Sequence, residues 1–320
     1  MSRAEASGKL ILLGEHVVVH GAPALVAGIG RGLWARIEPA PDGASTLVIS
    51  GGAPTAADAA ADAELGRAFA QLLAEGEARP VRVEVGGDLP AGMGLGFSAA
   101  AAVAIARALE RLERGDEAAA SDDALERVRA RAMAWERVFH GNPSGVDVAA
   151  AMHGGCLRFR RGEGPKPLAA HPPLRLAVGL TGVRSSTRQM VEGVAKLART
   201  RPALVEKAVA GIGALVDNAA AAVEAGDAGA LGELMDMNQM LLAGLMLSTD
   251  AIEALCASAR AAGALGAKLT GAGGGGAVVA VVGRLDDPDS ADRSRRVIAA
   301  WRELGFEGFD APVGRGAGAR

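Results

Sequence analysis

Apolar positions change period several times along the chain, and each change marks an element. Lys9 opens the run Leu10-Ile11-Leu12-Leu13, which Gly14-Glu15-His16 interrupts before Val17-Val18-Val19. The pattern predicts strand, turn and strand, with Glu15 and His16 at the turn. Gly32 to Ala40 and Thr46 to Ser50 read as further strands, with Pro39, Pro41, Asp42 and Gly43 marking the turn between them. Glu64 to Glu75 has helical spacing, with Leu65, Phe69, Leu72 and Leu73 on one face. Val81-Arg82-Val83-Glu84-Val85 alternates strictly and predicts a strand. Ala99 to Leu112 are strong helix formers at helical spacing, and a second helix over Asp122 to Phe139 carries Trp135 and Glu136 near its end.

The second half is mostly helical. Gly154 to Arg160 and Leu174 to Leu180 read as strands, and Gly162 to Pro173, rich in Gly and Pro, as a linker between them. Helices follow over Pro202 to Ala225, Ala228 to Leu247 and Asp250 to Gly263, then a strand over Ala277 to Val282 and a last helix over Pro288 to Leu304. Met235, Met237, Met240 and Met246 read as core filler. The expected division is 1–172, 173–305 and a tail, 306–320, that returns to the first domain.

Composition narrows the function. The 320 residues leave room for two domains with a real core, half are apolar, only 3% are aromatic and Tyr is absent. A net charge of -3 argues against a nucleic-acid partner. Cys156 and Cys256 are too few and too far apart for a disulfide framework or a zinc site, which points to a reducing compartment. No signal peptide is visible, and the charge-free window Leu89 to Ala106 is broken by Pro90 and glycines, so the chain reads as soluble and cytoplasmic, without a membrane partner. A homodimer is compatible with all of this.

The chemistry concentrates in Asp88-Leu89-Pro90-Ala91-Gly92-Met93-Gly94-Leu95-Gly96-Phe97-Ser98-Ala99-Ala100. Gly92, Gly94 and Gly96 permit bends that a Cβ would block, and the loop runs into a helix N-terminus, where free N–H groups and the dipole favour phosphate. A plain glycine turn capped by Ser98 would have the same composition. No Walker A sequence occurs, and Gly271 to Gly276 satisfies G-x-G-x-x-G but leads into a strand rather than a Rossmann helix. Gly96-Phe97-Ser98-Ala99-Ala100 approximates a hydrolase nucleophile elbow, yet Pro90 to Gly96 separate it from its strand. His16 and His20 have the spacing of a helical metal pair, but the valines between them argue for strand.

Between Glu136 and Asp147, Asn142-Pro143-Ser144-Gly145 imposes a tight turn. The two carboxylates can therefore face one point, one holding a metal and the other accepting a proton; an N-cap Asp and a surface Glu are the bland alternative. Ser186 or Thr187 caps the helix that follows, and Arg184 and Arg188 are local cations suited to a carboxylate or to plain solvation.

Gly8 to Gly21, Pro90 to Ala100 and Lys268-Leu269-Thr270-Gly271-Ala272-Gly273-Gly274-Gly275-Gly276 together resemble the three motifs of the GHMP kinases. Glu136 to Asp147 and Leu234-Met235-Asp236-Met237-Asn238-Gln239 add to the likeness, which is strongest to the mevalonate-phosphorylating members. It implies an α+β, two-domain fold with the active site in the interdomain cleft, and ATP- and Mg²⁺-dependent phosphorylation of the 5-hydroxyl of mevalonate. Another acceptor (a sugar, homoserine or phosphomevalonate) or a catalytically silent sensor is the alternative. By resemblance, Gly92, Gly94, Leu95, Gly96, Ser98, Ala99 and Ala100 cradle the nucleotide phosphates, and Ser98 and Glu136 hold Mg²⁺. Asp147 is the general base and Lys9 steadies the attacking hydroxyl. Glu15, His16, Ser144 and Thr187 are substrate-side or supporting positions, and Arg184 and Arg188 are further substrate-side cations. The family usually carries serine where Phe97 stands, which bears on a secondary phosphate contact and the room around the nucleotide.

Overall fold

The computed structural model of the chain describes residues 1–41, 43–76, 79–169 and 173–314. Its first sheet is built on a long antiparallel ribbon of β1 (Ser2–Leu13) and β2 (Ala24–Pro39). The other edge of β2 pairs with β5 (Val81–Gly87) in one half and β6 (Cys156–Arg160) in the other. β3 (Thr46–Ile49) and the short β4 (Thr55–Ala56) extend the sheet beyond β5, and β7 (Gly164–Leu168) extends it beyond β6. α1 (Glu64–Ala74) and α3 (Asp122–His140) pack together, and α2 (Phe97–Arg114) lies against β1 and β2. The alanines explain that last placement: Ala99 to Ala106 are all at most 1% exposed, and their small side chains let the helix lie close to the ribbon. α4 (Val146–His153) follows the tight turn and also rests on β1.

The second sheet is antiparallel, in the order β11 (Glu307–Pro312), β8 (Leu174–Leu180), β10 (Ala277–Arg284), β9 (Gly266–Thr270). Around it run α5 (Thr187–Thr200), α6 (Pro202–Glu224), α7 (Ala228–Gly244), α8 (Asp250–Ala261) and α9 (Ser290–Glu303). β9 is an edge strand whose outward backbone groups need partners. Side chains supply them: Ala267 N–H donates to Asp236 Oδ1 and Leu269 N–H to Gln239 Oε1, each at 2.9 Å, while Arg260 Nη2 donates to Ala267 O at 2.8 Å.

The two sheets share one core. Leu10, Leu12 and Leu25 from the first half, Leu176, Val178 and Val279 from the second sheet, and Leu231 and Met235 from α7 belong to a single buried cluster. Polar bonds stitch the same seam: Ile11 N–H donates to Thr270 Oγ1 at 2.9 Å, and that hydroxyl donates to Ile11 O at 3.1 Å. After β11 the chain crosses back, Val313 bridging Ile29 and Gly314 N–H donating to Gly28 O at 3.3 Å. The rest of the expected tail, 315–320, lies outside the described residues.

Three sequence expectations are corrected here. Val17 to Val19 are not strand. Gly14 (φ 100°) and His16 (φ 64°) turn the chain, Val18–His20 form a 3-10 helix, and Val17 and Val18 plug into the cores instead of pairing. Gly162 to Pro173 is not merely a linker: Gly164–Leu168 pairs with β6, and Pro165 and Pro167 are tolerated because β7 is the sheet's edge. Of the four methionines only Met235 is core; Met237, Met240 and Met246 are 49%, 66% and 80% exposed.

Candidate active site

The glycine loop ends where α2 begins, and each of its glycines has a positive φ of 75–76°. Gly96 is the most constrained: a Cβ there would stand 2.7 Å from Lys9 Cγ. That close approach fixes the helix start over Lys9, whose N–H also donates to Leu95 O at 2.9 Å. The first-turn N–H groups of Phe97, Ser98 and Ala99 have no partner within the helix. Ala100 differs from the expected phosphate contact, since its N–H donates to Gly96 O at 2.9 Å. Phe97, the first residue of α2, packs its side chain against the main core. Replacing Gly96 by alanine should lower stability by about 2 kcal/mol, from the left-handed backbone and the clash together, read as a fall in Tm.

Beneath the loop, Lys9 Nζ lies 3.1 Å from Asp147 Oδ1. Lys9 is nearly buried, while Asp147, in the first turn of α4, keeps a third of its side chain open. Beside them Ser98 Oγ donates to Glu136 Oε1 at 2.5 Å and accepts from Trp135 Nε1 at 2.9 Å, which leaves the hydroxyl with one orientation. Burial pushes the Glu136 carboxyl up to about 7. The Ser98 hydrogen bond opposes the rise, the negative Asp147 adds to it and Lys9 opposes it. His140 Nε2 stands 3.5 Å from the other Glu136 oxygen. α2, α3 and α4 thus bring Ser98, Glu136 and Asp147 to the C-terminal half of β1, which holds Lys9.

The substrate-side expectations scatter. Glu15 is 1% exposed, and both its oxygens are taken: Oε1 by Lys268 Nζ and Oε2 by Asn238 Nδ2 at 3.2 Å. His16 donates from Nε2 to the Ala272 carbonyl at 2.8 Å, which fixes its tautomer, and burial draws its pKa below the ordinary value. Ser144 Oγ accepts from Val146 N–H at 3.4 Å and borders a separate cavity of about 760 Å³ between α3, α4 and β6–β7. Thr187 and Arg188 are exposed on α5, and Ser186 is the residue that caps it. Arg184 is exposed and lies over the 92–96 glycine loop: its Cδ and Nε are 3.4 Å from where a Gly92 Cβ would stand. The loop bearing Arg184 is pinned to the second glycine run by Ser185 Oγ donating to Gly273 O at 2.5 Å and Gly276 N–H donating to Val183 O at 2.8 Å.

A model of the GHMP kinase N-terminal domain matches residues 63–155, and one of the GHMP kinase C-terminal region matches 219–306. The chain is 38% identical to a mevalonate kinase of Aeropyrum pernix over 87% of both chains. It belongs to the GHMP kinase family. Among other relatives of the family, Homo sapiens mevalonate kinase is 29% identical across 97% of this chain and 92% of its own. The crystal structure of L. major mevalonate kinase with R-mevalonate superposes with a TM-score of 0.80 at 31% identity, covering 98% of this chain and 96% of that one. The α+β, two-domain architecture expected from the motifs is the architecture of these GHMP kinases.

Sequence reasoning gave no role to Lys268, Asn238 or Gln239, although the motifs quoted contain them. The signal was available: Lys268 is the one charged residue in the buried strand Gly266–Thr270, and Asp236, Asn238 and Gln239 punctuate a Met- and Leu-rich helix. Polar residues on buried faces need partners.

Proposed function

We propose that the chain is an ATP-dependent kinase that transfers the γ-phosphoryl group to the 5-hydroxyl of mevalonate. The observation that carries this is the Lys9–Asp147 ion pair set beside the Ser98–Glu136 pair at the foot of an open helix N-terminus. The names of the relatives supply the acceptor. Asp147 takes the proton of the attacking hydroxyl as the new O–P bond forms and the bond to ADP breaks, and Lys9 balances the charge. The N–H groups of Phe97, Ser98 and Ala99 face the phosphates. A silent sensor would have no need of both pairs.

Mg²⁺ suits this site. Ser98 and Glu136 offer two oxygens, and burial raises the proton affinity of the Glu136 carboxylate, so a proton competes with the cation for it. Among the described residues no group of three or more His, Cys, Asp or Glu side chains could hold a metal. Held by Ser98 and Glu136, Mg²⁺ would neutralise developing phosphate charge. In the same residues no helix is long and apolar enough to cross a membrane. We take 1–172 and 173–305 as the two domains and the cytoplasm as the compartment.

The test is ADP release with Mg²⁺-ATP against mevalonate, phosphomevalonate, galactose and homoserine. Turnover on mevalonate alone is expected; turnover on another acceptor moves the specificity, and none at all sinks the kinase reading. Arg184→Ala should raise KM for ATP about tenfold and leave KM for mevalonate nearly unchanged, because its guanidinium lies over Gly92. The opposite split would return Arg184 to the acceptor side.

A further inference from the structure

The buried cluster of Glu15, Lys268 and Asn238 lies on the seam between the two sheets, one partner from the turn after β1 and two from β9 and α7. Glu15 and Lys268 side chains are both 0% exposed. Lys268 Nζ also donates to Leu269 O at 2.5 Å, so the ammonium has two acceptors and the carboxylate two donors. Each carboxylate oxygen already accepts a hydrogen bond inside the protein, while Asn238 Oδ1 is buried without a partner among the described residues. An ion pair removed from water is weak support for stability, since an apolar pair often serves as well. Its consequence here is positional.

Glu15 immediately precedes His16, whose backbone is held at φ 64°, a conformation a non-glycine residue adopts only under constraint. His16 Nε2 then grips the Ala272 carbonyl at 2.8 Å. Ala272 belongs to the loop that faces the phosphate loop: a Gly271 Cβ would stand 3.5 Å from Gly94 O, and a Gly276 Cβ 3.2 Å from Met93 O. Lys268 lies on the strand leading into that loop, and Gln239 and Asp236 fix the same strand from α7. We propose that Glu15, Lys268 and Asn238 are positioning residues for phosphoryl transfer, locking the His16 turn to β9 so that the 271–276 loop forms a rigid wall opposite the phosphate loop. This rests on phosphoryl transfer being the reaction, and makes Glu15 an internal strut instead of a ligand of the acceptor.

The charges facing the pair are few. Lys268 is lowered first by burial and held up by Glu15, with Lys9 acting against it, while Cys256, itself pushed up to about 12 by burial, stays neutral, and His16 adjoins Glu15 in sequence. Breaking the pair from either side therefore has opposite pH consequences. Glu15→Gln leaves a buried ammonium that is relieved by losing its proton, so its kcat relative to the original chain should rise with pH. Lys268→Met leaves a buried carboxylate that is relieved by gaining one, so its relative kcat should fall with pH.

The experiment measures kcat and both KM values from pH 6 to 9 for the original chain, Glu15→Gln, Lys268→Met, the double variant and Asn238→Ala, each held well below its Tm. Single variants of the pair should lose about 100-fold in kcat, with KM for mevalonate changed less than about threefold. The double variant should recover only the part of that loss due to a stranded charge, because the lock itself is still absent, and full recovery would overturn the proposal. Asn238→Ala, which removes one bond and no charge, should lose about tenfold in kcat, and it decides the matter if the charged variants fail to fold. Folded variants with unchanged kcat, or a raised KM for mevalonate at constant kcat, would overturn the proposal. If the original chain turns over no acceptor, the kinase reading falls instead, and the comparison of variants is not reached.

Discussion

Asp147→Asn should lower kcat on mevalonate by about 10³-fold while ATP binding survives nearly intact. Asparagine keeps the size and one acceptor oxygen of Asp147, so the turn and α4 need not move. It loses the capacity to take a proton and it loses the charge that meets Lys9 at 3.1 Å. Lys9 is nearly buried, so the variant also strands an ammonium whose one ion-pair partner among the described residues is gone. Steady-state rates and nucleotide titration on the same preparation separate the two effects. A variant within tenfold of the original rate would remove Asp147 from the base's role, whatever its effect on stability.

Glu136→Gln should produce the second large loss, about 10²-fold or more in kcat, and it carries a pH signature. Burial pushes the folded carboxyl up to about 7 from an ordinary value of 4.5. Between those values the folded state holds a proton that the unfolded state has released, so stability is greatest below pH 4.5 as far as this group decides, and declines as pH rises towards 7. The decline is on the order of 3 kcal/mol. Glutamine has no proton to lose, and the variant's denaturant midpoint should lack that slope and exceed the original at pH 8. A cation must displace the same proton. Below pH 7 the Mg²⁺ concentration for half activation should therefore rise about tenfold per pH unit in the original chain, and flatten above it. An activation constant that ignores pH across 6 to 8.5 would separate Glu136 from the metal.

The elements that organise the site were legible because their signals are local. Alternation over Val81 to Val85, the alanine run after Ser98 and the Asn-Pro-Ser-Gly turn each specify a conformation within a few residues. The valines at 17–19 misled for the opposite reason: β-branched residues favour strand only where a neighbour is available to pair, and here Gly14 and His16 turn the chain and two of the valines are used to fill cores. Met237, Met240 and Met246 looked internal because composition cannot say which side of a helix meets the sheet. Glu15 was legible as a residue of consequence but not as a buried one, since its partners, Lys268 and Asn238, are more than 200 positions away. Arg184 could be read as a cation near the site; only the fold sets it against Gly92.

The common core running beneath both sheets has a consequence for how this enzyme can be taken apart. Leu10 and Leu12 on one side and Leu176, Val178 and Val279 on the other belong to one continuous buried cluster, so neither sheet is sealed alone. A gene cut between β7 and β8 should yield two fragments that each aggregate, and co-expression should rescue them only as a non-covalent pair. For the same reason calorimetry should record one transition for the whole chain. Lobes joined this way are inherited together, and a chimaera that keeps one and borrows the other from a distant relative must import the facing layer of leucines and valines with it.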